Sequence, residues 1–274
     1  MTEEELTLLL LCCRLKDRVL PLTAGQYRSL AEKAGGPPVA AGLPALCPGE
    51  EERARLAALL ERREEVLTLL KGWERQGVQL CTLLSPDYPV KVKEKLGDEA
   101  PAALFLLGAR ELLSLPARSL VGSRELREEN RRFAEEIGSA CARKGFALCS
   151  GDARGADRAA QNACLAAGGR VVSFVSDRLL DRSQTERHLF ISEDSPESVF
   201  SALRAHSRNR LIHCFGSVTF VAQTEDGKGG SWSGSLKNLR QHWTPLYYYE
   251  DGSTGAEHLH REGARPFSEF REEA

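Results

Sequence analysis

From about residue 100 onward, short apolar runs alternate with segments whose apolar residues recur at helical spacing. The runs predict buried strands, and they lie at 102–108, 118–123, 146–151, 170–176, 189–194, 217–223 and 244–250. The clearest intervening helix is predicted at 125–144, where Leu126, Phe133, Ile137 and Cys141 share one face. Strands that are apolar on both faces and separated by helices predict a mostly parallel sheet with right-handed crossovers. We therefore expect an α/β protein with a Rossmann-like, doubly wound sheet.

The first 76 residues have a different pattern, which predicts helices. Residues 3–34 predict two short helices, separated by residues 16–26, and Thr23 can cap the second one. The stretch 35–49 is rich in Gly and Pro and predicts a loop, whereas an apolar stripe predicts one longer helix over about 50–75. We accordingly predict a small helical N-terminal domain at 1–76, followed by a Rossmann-like domain at 77–274.

Charge and cysteine content narrow the class of protein. The formal net charge is −2, so any anion site has to come from the local placement of basic residues. The eight cysteines form no C-x-x-C pair and lie mostly in apolar runs, which predicts buried free thiols in a reducing compartment and disfavours zinc. The acidic N-terminus and its short apolar run are untypical of a signal peptide or a membrane span. We expect a cytoplasmic protein with no cofactor.

Three stretches are predicted to meet at the carboxyl edge of the sheet, where open parallel sheets bind ligands. Glycine lets backbone amides approach a phosphate, serine can cap a helix and donate its hydroxyl, and arginine matches phosphate oxygens. The residues predicted to form such a site are Gly122, Ser123, Arg124, Ser150, Gly151, Arg154, Gly155, Asp157, Arg208, Asn209 and Arg210.

Structural roles for the same residues remain open. Gly-Ser after a strand is common turn chemistry, and Arg208-Asn209-Arg210 can be a solvated helix start. Asp157 could act as a general base, but the favoured interpretation is that it caps its turn or orients Arg154.

Several catalytic patterns are absent from the sequence. The stretch 229–234 does not match G-x-S-x-G, and the chain has no G-x-G-x-x-G, no G-x-x-x-x-G-K-[ST] and no H-E-x-x-H. His258 and His260 are interpreted as surface residues near a charged C-terminus. We therefore predict no catalytic residue and no metal site.

An ordered set of motifs resembles the DNA-processing protein A (DprA or Smf) family. The motifs are "LVGSR" at 120–124, "SGDARGADRAAQNACLAAGG" at 150–169, "LFISED" at 189–194, "SRNRLI" at 207–212, "SGSL" at 233–236 and "HLHREGARPF" at 258–267. The resemblance implies a non-catalytic protein that binds single-stranded DNA in a positively charged pocket of the Rossmann-like domain. It also implies protection of that DNA in natural transformation, loading of the recombinase RecA, and a homodimer. The predicted phosphate-binding residues would then surround the DNA backbone.

The sequence departs from the family pattern at several positions. Ala156 stands where the family usually has Ile and Gln161 where it usually has His, and the acidic residue that the family usually has near Gln223 is absent. Lys237 and Asn238 replace small residues. We expect a divergent member without the C-terminal winged-helix module.

Two other functions fit the same sequence pattern. One is an enzyme on small nucleotides, similar to the phosphoribohydrolases of the lysine-decarboxylase-like Rossmann group, for which "GKGGSW" at 227–232 and Glu225 are the nearest match. The other is a nucleotide-binding module without turnover.

For the DNA-binding function, base stacking is expected to be modest, because Phe215 and Trp232 are the main aromatic residues near the predicted site.

Overall fold

In the computed structural model of the chain, residues 1–14, 19–47 and 49–271 are described. Residues 16–18 of the predicted connection and residues 272–274 of the predicted second domain lie outside them. The helices are α1 (Glu3–Cys12), α2 (Ala24–Ala34), α3 (Glu50–Glu61), α4 (Arg63–Glu74), α5 (Val90–Leu96), α6 (Glu128–Arg143), α7 (Ala156–Ala166), α8 (Ala202–Phe215), α9 (Gly229–Gln241) and α10 (Thr254–Arg261). The strands are β1 (Gln79–Thr82), β2 (Ala103–Gly108), β3 (Ala117–Val121), β4 (Ala147–Ser150), β5 (Arg170–Phe174), β6 (His188–Ser192), β7 (Thr219–Val221), β8 (Leu246–Tyr248) and β9 (Arg265–Pro266).

The chain divides into two compact units. Unit 1 comprises Met1–Leu106 and Ser192–Ser198, and unit 2 comprises Leu107–Ile191 and Val199–Ala274. The domain boundary predicted between residues 76 and 77 stays a prediction.

Unit 1 contains the two short helices that the sequence predicts at its start. Thr2 and Thr23 each form a capping box at the first turn of α1 and α2, and Gly35 ends α2 with a left-handed backbone. Leucines of α1, α2 and α3 share one apolar core, and β1 pairs antiparallel with β2. The helical N-terminal region is thus confirmed.

The single helix predicted over 50–75 is wrong, because α3 and α4 are separate helices that meet at Arg62. The backbone of Arg62 leaves the helical region, with φ −77° and ψ 10°. Its buried guanidinium donates to the carbonyl oxygens of Leu9, Leu10 and Cys13 at the end of α1. These contacts join residues about fifty positions apart in the sequence, so the apolar periodicity of residues 50–75 does not predict them.

Unit 2 contains a parallel sheet in the order β6-β5-β4-β3-β7-β8-β9. Successive connections run outward from β3 in both directions, and α6 packs on α7 while α8 packs on α9. Right-handed crossovers place these two helix pairs on opposite faces. The predicted Rossmann-like architecture is confirmed. The order in which successive strands are added to the sheet reverses between the parallel strands β3 and β7, where such sheets have their ligand crevice.

Two local expectations about unit 2 are wrong. The helix predicted from 125 begins at Glu128, because Ser123 forms a turn by accepting a hydrogen bond from the Glu125 N–H through its Oγ (3.1 Å). Arg208-Asn209-Arg210 does not begin a helix, because α8 already starts at Ala202, where the Ser201 side chain caps it. The tripeptide therefore lies in the middle of α8.

Candidate functional site

The loops after β3 and β4 pack directly on one another. The Ser123 carbonyl accepts a hydrogen bond from the Ala156 N–H (3.0 Å), and the Ser123 N–H donates to the Gln223 carbonyl after β7 (2.9 Å). Gly155 has φ 89°, and a Cβ on it would overlap the Ser123 carbonyl oxygen, so only glycine fits here. The first two predicted stretches and the end of β7 therefore converge at the crevice.

Asp157 holds the loop after β4 in shape. Its Oδ2 accepts from the backbone N–H groups of Gly151 (3.1 Å) and Ala153 (3.2 Å). Burial raises the pKa of Asp157 to about 6, against the opposing effects of the Arg208 guanidinium and the two backbone hydrogen bonds. Arg154 instead pairs with Glu125 (3.3 Å), so Asp157 caps its own turn and does not orient Arg154.

Arg208 forms the floor of the site. It is 5% exposed, and its Nε and Nη1 have no hydrogen-bond partner among the described residues. A Cβ on Gly151 would overlap Nη1, so the guanidinium lies directly against that glycine backbone. Burial lowers the pKa of Arg208, while the Asp157 carboxylate acts in the opposite direction. A buried guanidinium with two unused donors is costly unless an acceptor completes its hydrogen bonds.

Two cavities open on either side of this floor. The first, here called the α8–α9 cavity, has a volume of about 410 Å³ and is lined by parts of the β3 loop, α8 and the start of α9. The second, here called the arginine cavity, has a volume of about 440 Å³ and is lined by five arginines and two aspartates. Both cavities are lined by Arg124, Ala153, Phe200 and Arg208.

The arginines at the rim of the site, namely Arg154, Arg158 and Arg182, differ from Arg208 because acidic side chains already pair with them. Arg158 lies 3.4 Å from Asp152, and Arg154 pairs with Glu125 in a largely exposed bridge. Arg182 contacts Asp152 at 3.1 Å. An exposed pair such as that of Arg154 exchanges partners at little cost, so the rim can still contact an anion.

Three further predicted residues, Ser150, Asn209 and Arg210, form side-chain hydrogen bonds within the protein. Asn209 lines the α8–α9 cavity and donates through Nδ2 to the Gly230 carbonyl (2.8 Å). Arg210 donates through Nη1 to the carbonyl of Ser207 (2.7 Å). Ser150 is buried, and its hydroxyl lies 2.5 Å from the side-chain amide of Gln161.

Several residues that line the two cavities were not predicted as site residues from the sequence, and Lys228, Phe200 and Arg182 are three of them. Lys228 and Phe200 line the α8–α9 cavity, and Arg182 lines the arginine cavity. Phe200 is 50% exposed, whereas Phe215 and Trp232, the aromatic residues expected near the site, are buried. Lys228 could have been found from its place in the glycine-rich stretch after β7. Phe200 follows no periodic pattern that would single it out.

The described residues contain no cluster of three or more His, Cys, Asp or Glu that could hold a metal ion. No helix among them is long and apolar enough to cross a bilayer. Burial raises the pKa of Cys13 and of Cys141 to about 12, so these thiols stay protonated.

Comparisons with known proteins agree in pointing to one family. The model of the family described as DNA recombination-mediator protein A matches residues 79–273. The DNA processing protein DprA of Bacillus subtilis is 26% identical over 185 residues, which cover 63% of this chain and 61% of that protein. The protein of the same description from Streptococcus pneumoniae is 26% identical over 223 residues, which cover 76% of this chain and 78% of that protein.

Solved structures show the same fold. The X-ray structure of DNA processing protein A from Streptococcus pneumoniae has a TM-score of 0.76 at 22% identity, covering 100% of this chain and 99% of that one. A Helicobacter pylori DNA processing protein A structure, described in terms of that protein's single-stranded DNA binding mode, has a TM-score of 0.59 at 22% identity. It covers 70% of this chain and 92% of that one.

Proposed function

Since the chain belongs to the DNA recombination-mediator protein A family of DNA-processing proteins, we propose that unit 2 binds the backbone of single-stranded DNA. The binding residues are Gly122, Ser123, Arg124, Ser150, Gly151, Arg154, Gly155, Asp157, Arg208, Asn209 and Arg210. The domain that carries them is 77–274. In this proposal the chain binds DNA and catalyses no reaction on it.

The unpartnered donors of Arg208 are the observation that carries this proposal. A phosphate oxygen in either cavity would complete the hydrogen bonds of Nε or Nη1, which the described residues leave unmade. Arg124 lines both cavities and supplies a second cation above the floor. Contacts of this kind read phosphate and not base sequence, which suits a protein that handles DNA of any sequence.

The further roles follow from the family and are proposals of the same kind. The protein would protect incoming single strands in natural transformation and assist loading of the recombinase RecA. It would do so as a homodimer. The Helicobacter pylori relative, described as binding single-stranded DNA, supports the choice of ligand.

Fluorescence anisotropy with a labelled oligothymidylate tests the binding proposal. We expect binding at low salt, with a log–log dependence on salt of roughly −0.7 per phosphate contact, so two to four contacts give a slope of about −1.5 to −3. The slope should be independent of base composition. Absence of binding at low salt, or binding that ignores salt, would contradict the proposal.

A nucleotide-cleaving activity is the second candidate, because Asp157 and Glu225 both line the α8–α9 cavity. Both carboxyl groups already have structural partners: Asp157 accepts two backbone hydrogen bonds, and Glu225 accepts one from Lys228 Nζ (2.9 Å). Incubation with a panel of nucleoside monophosphates distinguishes the two functions. Release of free base that is lost in Glu225→Gln would favour the enzyme.

A further inference from the structure

Exposed large hydrophobic side chains of unit 2 are concentrated in one short segment. Among the described residues of this unit, they are Val199 (64% exposed), Phe200 (50%) and Leu203 (81%). The segment precedes α8 and forms its first turn. An apolar group placed beside a cationic site marks a surface on which a ligand has both charged and apolar parts.

Phe200 is held at a defined position within this segment. Ser201 caps α8 by accepting from the Arg204 N–H (3.1 Å), and Arg204 Nη1 donates back to the Val199 carbonyl (2.5 Å). The backbone on either side of the ring is therefore tied to the first turn of the helix. The ring borders both the α8–α9 cavity and the arginine cavity.

The Arg124 guanidinium lies over this ring, with Cζ 5.3 Å from the ring centroid. Arg124 therefore makes a cation–π contact with the ring, and half of the Phe200 surface is still exposed to a ligand. The phosphate-binding floor at Arg208 borders the same two cavities. A nucleotide bound there has its base within the same region of the surface as the ring.

We propose that Phe200 is a stacking platform for a nucleobase, placed between the two phosphate-binding cavities. This inference rests on the proposed function and names the part of the ligand that the arginines leave unrecognised. The ligand is the planar face of any base, because stacking on a phenyl ring is tolerant of sequence. The sequence-based expectation of modest base stacking considered Phe215 and Trp232 and did not include Phe200.

The test compares oligothymidylate with an abasic strand of the same length, which keeps the phosphates and lacks the bases. Phe200→Leu keeps an apolar side chain but removes the aromatic face. We expect this variant to bind oligothymidylate about tenfold more weakly, and the abasic strand as tightly as the unaltered protein does. The slope of affinity against salt should not change. Phe200→Trp should restore affinity for oligothymidylate.

Val90→Ala is the matched control, because Val90 is an exposed hydrophobic residue of unit 1 (60% exposed). It should bind both strands like the unaltered protein. A 2-aminopurine placed within the strand gives an independent readout, since stacking quenches its fluorescence on binding and Phe200→Leu should remove that quenching. Circular dichroism establishes that each variant is folded.

Two results would overturn the inference. One is unchanged binding of oligothymidylate by Phe200→Leu, which would mean that no base stacks on the ring. The other is an equal loss on the abasic strand, which would mean that Phe200 acts only by positioning Arg124. The proposed function fails separately, if the unaltered protein binds neither strand.

Discussion

Two arginines of this chain are buried to a similar degree, yet their surroundings are opposite. Arg62 of unit 1 is 7% exposed and donates to the carbonyl oxygens of Leu9, Leu10 and Cys13. Arg208 of unit 2 is 5% exposed, and its Nε and Nη1 have no partner among the described residues. Arg62 meets the negative end of α1 and is satisfied by it. Arg208 lies under a glycine-rich loop between two cavities.

Arg62 therefore has a structural role, whereas we propose that Arg208 binds the ligand. Burying a guanidinium is expensive in either place, so the free energy has to be recovered from hydrogen bonds. In unit 1 the protein supplies those bonds itself. In unit 2 we propose that the ligand supplies them.

Replacing each arginine with methionine is the strongest way to break this comparison. Arg208→Met should weaken binding of single-stranded DNA by about 100-fold, because truncating one side of a desolvated charge pair costs roughly 2–5 kcal/mol. Arg62→Met should bind DNA like the unaltered protein at a temperature where it is folded. Anisotropy titrations of both variants in parallel provide the measurement, and equal loss of binding in both would remove the distinction.

The two substitutions should affect the stability of the fold in the reverse order, with the larger loss for Arg62→Met. Arg62→Met should lower the free energy of unfolding by about 3 kcal/mol, because three carbonyl groups lose a charged donor. Arg208→Met should change it by less than about 1 kcal/mol, since no hydrogen bond of Nε or Nη1 within the described residues is lost. Urea titrations followed by circular dichroism measure both values. A larger loss for Arg208→Met would assign that arginine a structural role.

A single methyl group beside Arg208 should sharpen the comparison further. The Cβ in Gly151→Ala would overlap Arg208 Nη1, so the guanidinium has to move away from the loop. We expect a loss of DNA affinity of about tenfold, of the order of one displaced charged hydrogen bond. Gly72→Ala is the control, because nothing lies within 4 Å of its Cβ and its place inside α4 favours alanine. Similar binding by both variants would show that Arg208 needs no close contact with the loop.

The smallest expected effect concerns pH and the carboxyl group that faces Arg208. Because burial raises the pKa of Asp157 to about 6, the folded state favours its protonated form. The stability gained from this is fully present below pH 3.8 and is lost as the pH rises through about 6. Protonation also removes a negative charge near the phosphate, so DNA affinity should rise by about threefold between pH 7.5 and 5.5.

Asp157→Asn should remove this pH dependence while keeping an oxygen that can accept from Gly151 and Ala153. His206 also lines the α8–α9 cavity. The pH comparison should therefore be made with His206→Gln present both in the Asp157→Asn variant and in the protein that keeps Asp157. Anisotropy at matched ionic strength gives the affinities. A pH dependence that survives in Asp157→Asn would assign it to another group.

The seven strands predicted from apolar runs are all present, because strands buried on both faces of a parallel sheet carry continuous apolar sequence. Strands β1 and β9 were not predicted, and the two-residue β9 is too short for such a run. The break at Arg62 was missed because its cause is a contact with α1, which lies about fifty residues earlier in the chain.

The candidate site was predictable in part for a similar reason. Strand ends and glycines predict which loops meet at the sheet edge, and the contact of Ser123 with Ala156 follows from that topology. The burial of Arg208 did not follow, since arginine is usually exposed and its depth depends on how α8 crosses the loop after β4. Phe200 was missed because an exposed ring leaves no periodic signal.

A crystal structure of the protein with a short oligothymidylate bound would show directly whether Arg208 binds phosphate. We predict a phosphate oxygen within hydrogen-bond distance of Arg208 Nε or Nη1, with the Gly151 backbone still packed against the guanidinium. A bound strand whose phosphates contact only Arg154, Arg158 and Arg182, leaving those two nitrogens of Arg208 without an acceptor, would show that Arg208 is not a phosphate ligand.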